Sequence, residues 1–328
     1  MKRLWTILVV LSLVLPFAAA CADPAQEETI SWTTSFTAHF ATVEEGQKHI
    51  RNRTRFHAQI NGRALAFFLQ KKDGTLEEYI EYSEQQVLPF MPDEEKLIND
   101  TLLWLHNLLE SHGMKLPDPG MLIFVKTTGK EALGAGGYTN EGIIFLTEDF
   151  FTENKDKMEA AMQEMLPHEI FHCLTRRYPE FRKAMYALIH FSVLDEEIAI
   201  PEEIKAQLIA NPDVEHHNSY APFTIGGVRK DCYLVFLTDA VFEKPGDSFF
   251  DSKYTGIVPL GESVVYRIED TEDFWDVVGR NTDYAEDPEE LMATNFSFAL
   301  LWLDRGSKGQ KKLKDPELLE KIIQYLKK

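Results

Sequence analysis

His168-Glu169-Ile170-Phe171-His172 is the stretch of this chain whose residue types and spacing carry the most chemistry. Four residues of α-helix turn through about 400°, so His168 and His172 would project from one face, one turn apart. Two imidazoles so placed can bind one tetrahedral zinc ion. Glu169 lies next to that face, where a carboxylate can act as general base toward a water polarised by the metal. The spacing therefore predicts a hydrolytic zinc centre on a helix. Pro167, just before His168, removes one helix hydrogen bond and predicts a kink or a restart there. Cys173 falls about 140° around the helix from His168 and reads as a packed thiol, not a ligand.

A catalytic zinc needs a third protein ligand and keeps its fourth position open. The extended pattern HExxHxxGxxH fails, because Thr175 and Tyr178 stand where Gly and His would be. Nearby candidates are Glu180, His190, Asp195, Glu196 and Glu197. A distant one is Glu290, which shares a helix face with Ala293, Thr294 and Ser297 by three- and four-residue spacing. A carboxylate among small residues would let its helix approach the zinc helix closely, with Phe296, Leu300 and Leu303 turned to the core. Asp287 and Glu290 also have capping-box spacing, so Glu290 could instead close its own helix N-terminus. His216 and His217, after Asn211-Pro212-Asp213, read as exposed loop histidines.

At Met165–Tyr178 and Tyr284–Phe296 the chain resembles the gluzincin group of zincin-like metallopeptidases. The likeness is to minimal bacterial members distantly related to the anthrax lethal factor protease domain. Lys126-Thr127-Thr128-Gly129 and Gly137-Tyr138-Thr139 also look like the segment ahead of the zinc helix in such proteins. Thr294 departs from the pattern, where several relatives carry a second Glu. The resemblance implies a zinc ion (Zn2+) held by His168, His172 and Glu290, with Glu169 as base. It also implies that Tyr284, six residues before Glu290, donates a hydrogen bond to the oxyanion formed in hydrolysis.

The elements that must position these residues read as α+β. Thr42 with Glu45 and Thr75 with Glu78 have capping-box spacing, and Pro92-Asp93 opens a third helix that ends near Gly113. Residues 21–115 are thus a mostly helical N-terminal region, and 116–328 the zincin-like catalytic domain. Met121–Val125 and Gly142–Leu146 read as buried strands, and Phe223–Gly226 and Cys232–Leu237 as further short ones. Tyr138 precedes the apolar strand expected at Gly142–Leu146. If that strand is the sheet edge over the cleft, an extended peptide would pair there and Tyr138 would be a substrate-binding residue; a core or rim tyrosine is the alternative. Helices are expected at about Lys155–Tyr178, Glu180–Phe191, Pro288–Leu303 and Pro316–Leu326.

Lys2 and Arg3 precede an apolar run from Leu4 to Phe17 and then Ala18-Ala19-Ala20-Cys21, which reads as a signal peptide over residues 1–20. Cleavage before Cys21 would resemble lipoprotein processing and would attach the chain to a membrane through a lipidated Cys21; cleavage after Ala22 is the alternative. An exported location also permits Cys173 and Cys232 to pair. The net charge of −19 opposes a broad nucleic-acid-binding surface. Together these features predict an exported, periplasmic, extracellular or membrane-anchored zinc metallopeptidase acting on peptides or proteins. The contrasting expectation is a catalytically silent zinc-site protein of the same fold, serving as a binding or cell-envelope interaction module.

Overall fold

In the computed structural model of the chain, residues 30–152, 155–306 and 313–327 are described; the expected signal peptide 1–20 and Cys21 lie outside them. Two short strands, β1 (Trp32–Thr33) and β2 (Thr37–Phe40), lead into α1 (Val43–Arg51), α2 (Arg55–Gln59), α3 (Gly62–Leu69) and α4 (Leu76–Glu84). Both expected capping boxes form: Thr42 and Glu45 bond each other's backbone at the start of α1, and Thr75 and Glu78 do so at α4. Two hydrogen bonds in each box thus satisfy helix-end amides that would otherwise lack partners. Next come β3 (Val87–Leu88), α5 (Pro92–Ser111) and β4 (Leu116–Pro117), the last pairing with β1.

The sheet beside the predicted zinc helix is built from β5 (Met121–Thr127), β6 (Gly137–Asn140) and β7 (Ile143–Thr147), together with β2 and β3. β5 lies parallel to both β2 and β7, while β6 runs antiparallel to β7. The pairing of β2 with β5 carries this sheet across the boundary expected near residue 116. The edge strand is β6, not the apolar β7, which corrects the sequence expectation. Ile144, Phe145 and Leu146 are buried, and a run so apolar is better placed inside a sheet than at its rim.

α6 (Lys155–Arg177) passes Pro167 without ending, so the predicted restart does not occur. Met162, Leu166, Ile170, Phe171 and Leu174 on this helix are fully buried, and that packing outweighs one missing hydrogen bond. Ser297 also donates to the Glu164 carbonyl at 2.5 Å, in the turn that Pro167 disturbs. α7 (Pro179–Ala187) follows, then β8 (Ser192–Val193), α8 (Glu202–Lys205), β9 (Ser219–Ile225), β10 (Val228–Thr238) and β11 (Lys253–Pro259). β8 to β11 form a second, antiparallel sheet in the order β11-β10-β9-β8. After α9 (Phe274–Val278), α10 (Pro288–Arg305) packs along α6 with Ala293, Phe296, Ser297 and Leu300 buried, and α11 (Pro316–Leu326) closes the chain. The whole is α+β. Among the described residues no helix is long and apolar enough to cross a membrane. Cys173 and Cys232 are both free and buried.

Candidate metal centre

His168 and His172 do share one face of α6, with ring centroids 4.8 Å apart. Opposite them, the first turn of α10 supplies Glu290, whose Oε2 lies 3.1 Å from His168 Nε2 and 3.8 Å from His172 Nε2. Glu290 therefore does not close a capping box. Asp287 caps α10 alone, accepting from the Glu289 amide at 2.8 Å, and the Glu290 carboxylate turns across to α6. Its second oxygen, Oε1, accepts from Asn211 Nδ2 at 2.5 Å. Burial alone would raise Glu290, but the hydrogen bond with His168 and the charges of both histidines hold it down to about 2. His168 is shifted upward, burial being outweighed by the same carboxylate.

The donor set fits a metal by chemistry and by spacing. One atom from each of His168, His172 and Glu290 lies within 4.8 Å of the others. Donor atoms on a tetrahedral zinc, with bonds near 2.0–2.2 Å, stand roughly 3.4 Å apart, between the two separations from Glu290. His172 is fully buried and its Nε2 has no hydrogen-bond partner. Its other nitrogen, Nδ1, lies 2.9 Å from Glu289 Oε1. A carboxylate only accepts, so Nδ1 carries a proton, and in the neutral ring the lone pair then belongs to Nε2, the nitrogen 3.8 Å from Glu290. Such an orphaned lone pair is costly unless a cation completes it.

Glu289 is a functional candidate that the sequence reading missed. It stands one residue, or about 100° of helix, before Glu290, and so reaches the back of His172 while Glu290 reaches the front. Thr175 Oγ1 donates to its Oε1 at 2.5 Å and Tyr186 to its Oε2 at 2.6 Å. Burial opposes ionisation here too, yet His172 and the nearby Arg182 and Arg176 charges lower its pKa. A carboxylate that fixes the outer nitrogen of a ligating imidazole sets both its tautomer and its orientation. The adjacent Glu-Glu pair was the available signal.

Glu169 is buried, and its Oε2 accepts from Thr139 Oγ1 at 2.7 Å, tying it to the edge strand β6. A second unanticipated acid, Asp213, comes within 3.9 Å of His172 Nε2. Glu169, His172 and Asp213 form another close group. Burial, then Glu169 and Glu290, push the Asp213 carboxyl well above the usual range. Asp213 Oδ1 accepts from the Thr139 amide at 2.5 Å, and Arg176 donates to the Thr139 carbonyl at 3.2 Å. Arg176 also holds the Pro212 and Asp213 carbonyls and Glu215, which anchors the whole 211–215 segment on α6.

The remaining expected residues sit as follows. Tyr284 is 38% exposed as a whole, while its phenol is raised well above its ordinary pKa by burial, then by Glu290, Glu286 and Asp213. Tyr138 is buried, stacks on Phe145 at 4.7 Å and donates to Glu131 Oε1 at 3.0 Å. Among the nearby ligand candidates, Glu180 and Asp195 approach Lys183, and Glu197 bonds Arg55 and His216; Glu196 and His190 join neither close group. His217 is not an exposed loop residue: both ring nitrogens are buried and lack partners, and burial lowers its pKa to about 4. Comparison with protein-family models, with characterised proteins and with solved structures finds no match to this chain.

Proposed function

We propose that the chain is a zinc-dependent peptidase of the zincin-like type, exported by the segment 1–20 and anchored, if cleaved before Cys21, at a membrane. One observation supports the proposal: three side chains able to ligate converge from two packed helices, and the fully buried His172 Nε2 among them has no hydrogen-bond partner. His168, His172 and Glu290 would hold the ion. Bound there, zinc would supply Lewis acidity toward a peptide carbonyl and an attacking water.

The chain's own groups complete the chemistry. Glu169 takes the proton of the attacking water and returns it to the leaving amine. Thr139 Oγ1 fixes the Glu169 carboxylate on one oxygen, limiting its rotation. Glu289 keeps His172 in the tautomer that ligates. Tyr284, at the entry to α10, donates to the oxyanion that develops on the former carbonyl.

A groove of about 440 Å³, with Gly136, Gly137, His168, Glu169 and Thr294 in its walls, offers room for a substrate segment. Residues of an edge strand alternate between facing the sheet and facing out. Since the Thr139 backbone faces out, that of Gly137 does too, and an extended peptide can pair there. At Thr139 the same positions are filled by Asp213 and Arg176. That filled edge is also what favours the competing reading, a silent zinc-site module that binds without cutting. Zinc-loaded protein incubated with a diverse peptide library separates the two. Cleavage that disappears in Glu169→Gln supports the peptidase, whereas one zinc per chain with no cleavage supports the module.

A further inference from the structure

A second cavity shares Asn211 and Asp213 with the surroundings of the candidate metal centre. Its walls are aromatic: Phe56, Phe68, Tyr79, Phe236, Phe249 and Phe250 all line it. Its polar lining is acidic, with Glu131, Asp213 and Glu286 contributing and no lysine, arginine or histidine among the lining residues. Exposure orders it from mouth to floor. Phe250 and Tyr284 are 41% and 38% exposed, whereas Glu131 is 1% exposed. The volume is about 120 Å³; an apolar cavity of roughly 150 Å³ accepts one benzene ring, so this one suits a single side chain.

Glu131 is held on one side and bare on the other. Thr127 Oγ1 and the Tyr138 hydroxyl donate to its Oε1 at 2.6 and 3.0 Å, and Tyr79 donates to its backbone carbonyl at 3.2 Å. Its Oε2 is buried and has no partner. Three hydroxyls thus spend their protons on orienting this residue, and none on the second carboxylate oxygen. A buried oxygen so left costs free energy that an incoming donor would recover. The walls also suit a cation. Lys253 Nζ already lies 5.5 Å over the Phe236 ring and 5.2 Å over Phe250, while bonding Glu286 at 2.8 Å. Aromatic faces attract ammonium and guanidinium groups in this way.

We propose that this cavity is a specificity pocket for a basic side chain, whose apolar stem lies between the aromatic rings and whose charged end meets Glu131. Asp213, which lines the pocket and stands 3.9 Å from His172 Nε2, places the pocket's occupant next to the reacting bond. The assignment to a substrate residue rests on the peptidase reading above; the pocket's choice of a cation does not.

The test has two arms on the full chain. In the first, n-butylammonium and its neutral counterpart n-butanol are titrated into wild type and Glu131→Gln and followed by nuclear magnetic resonance. Wild type should prefer the ammonium by about 10- to 100-fold, and Glu131→Gln should lose that preference. Equal binding of the two probes to wild type overturns the pocket, and needs no variant to be folded. In the second, zinc-loaded wild type is given paired peptides carrying lysine or norleucine beside the scissile bond. A kcat/KM ratio well in favour of lysine, collapsing in Glu131→Gln while the norleucine peptide is cut as before, supports the pocket. A ratio near one overturns the pocket and leaves the peptidase standing. If no peptide is cut at all, the peptidase reading falls and the butylammonium preference alone decides the pocket.

Discussion

Two sets of buried carboxylates in this chain differ in what surrounds them. Glu289 and Glu290, on α10, each receive donors from outside their own helix: His172, Thr175 and Tyr186 for one, His168 and Asn211 for the other. Both are held below the usual carboxylate range although fully enclosed. Asp213, on a loop, and Glu131, in a single 3-10 turn at Lys130–Ala132, are as deeply placed but are pushed above it, burial being the leading cause in each. Burial and hydrogen-bond donors are common to both sets, so the imidazoles beside Glu289 and Glu290 decide. A carboxylate kept ionised by imidazoles is prepared for a metal and its ligands. Glu131, whose Oε2 is left bare, is open to a donor the chain does not supply.

That contrast is most easily broken at Glu290. Glu290→Ala should bring zinc well below one equivalent and abolish peptide cleavage, because two remaining ligands rarely hold the ion. Asp213→Ala should keep its zinc. Equal loss from both, measured by elemental analysis after dialysis, would erase the distinction. Glu169→Gln should retain the metal and lose about 10²- to 10⁴-fold in turnover, since an amide cannot accept the proton. Turnover within a few-fold of wild type would remove Glu169 from its role.

Tyr284→Phe, which deletes one hydroxyl, should lower kcat by about 10²- to 10³-fold with zinc content and melting temperature unchanged. If the variant cuts peptides as fast as its parent, the tyrosine only packs the entry to α10. Glu289→Gln weakens a supporting interaction, not a ligand, and should cost about 10- to 100-fold in zinc affinity in a competition titration with a chelator. Unaltered affinity would mean that Glu289 does not orient His172.

The smallest effect concerns stability. His57 and His217 are lowered from 6.5 to about 4, burial leading in both cases. Between those values the unfolded chain binds protons that the folded chain refuses, so stability should fall as pH drops from about 6.5 toward 4. Urea midpoints at several pH values check the direction. A His57→Gln variant should show a shallower decline, and an identical slope would contradict it.

What was legible in the sequence is what local spacing determines. The helix around His168 and Glu169, the capping boxes at Thr42 and Thr75, and the start of α10 at Pro288 all follow from residues within one or two turns. Glu290 was legible only as a choice between cap and ligand, and the sequence could not decide because both need a carboxylate in the first turn. Asp287 caps alone, which removes the capping role from Glu290. Asp213, Asn211 and Thr139 were not legible, since they reach the site from a loop and an edge strand whose approach depends on Arg176 bonding across both. The helix over about Lys155–Tyr178 was legible, but that it runs past Pro167 without a restart was not. Helix propensity argues for a break locally, and the support for that turn includes a hydrogen bond from Ser297, far away in the chain.

Zinc content of the purified chain tests the central claim most directly. Elemental analysis of wild type, His168→Ala and Glu169→Gln after dialysis should give about one equivalent of zinc for wild type and Glu169→Gln, and well below one for His168→Ala. Wild type without bound zinc, or zinc unchanged in the folded His168→Ala variant, would contradict the assignment of His168, His172 and Glu290 as a metal centre.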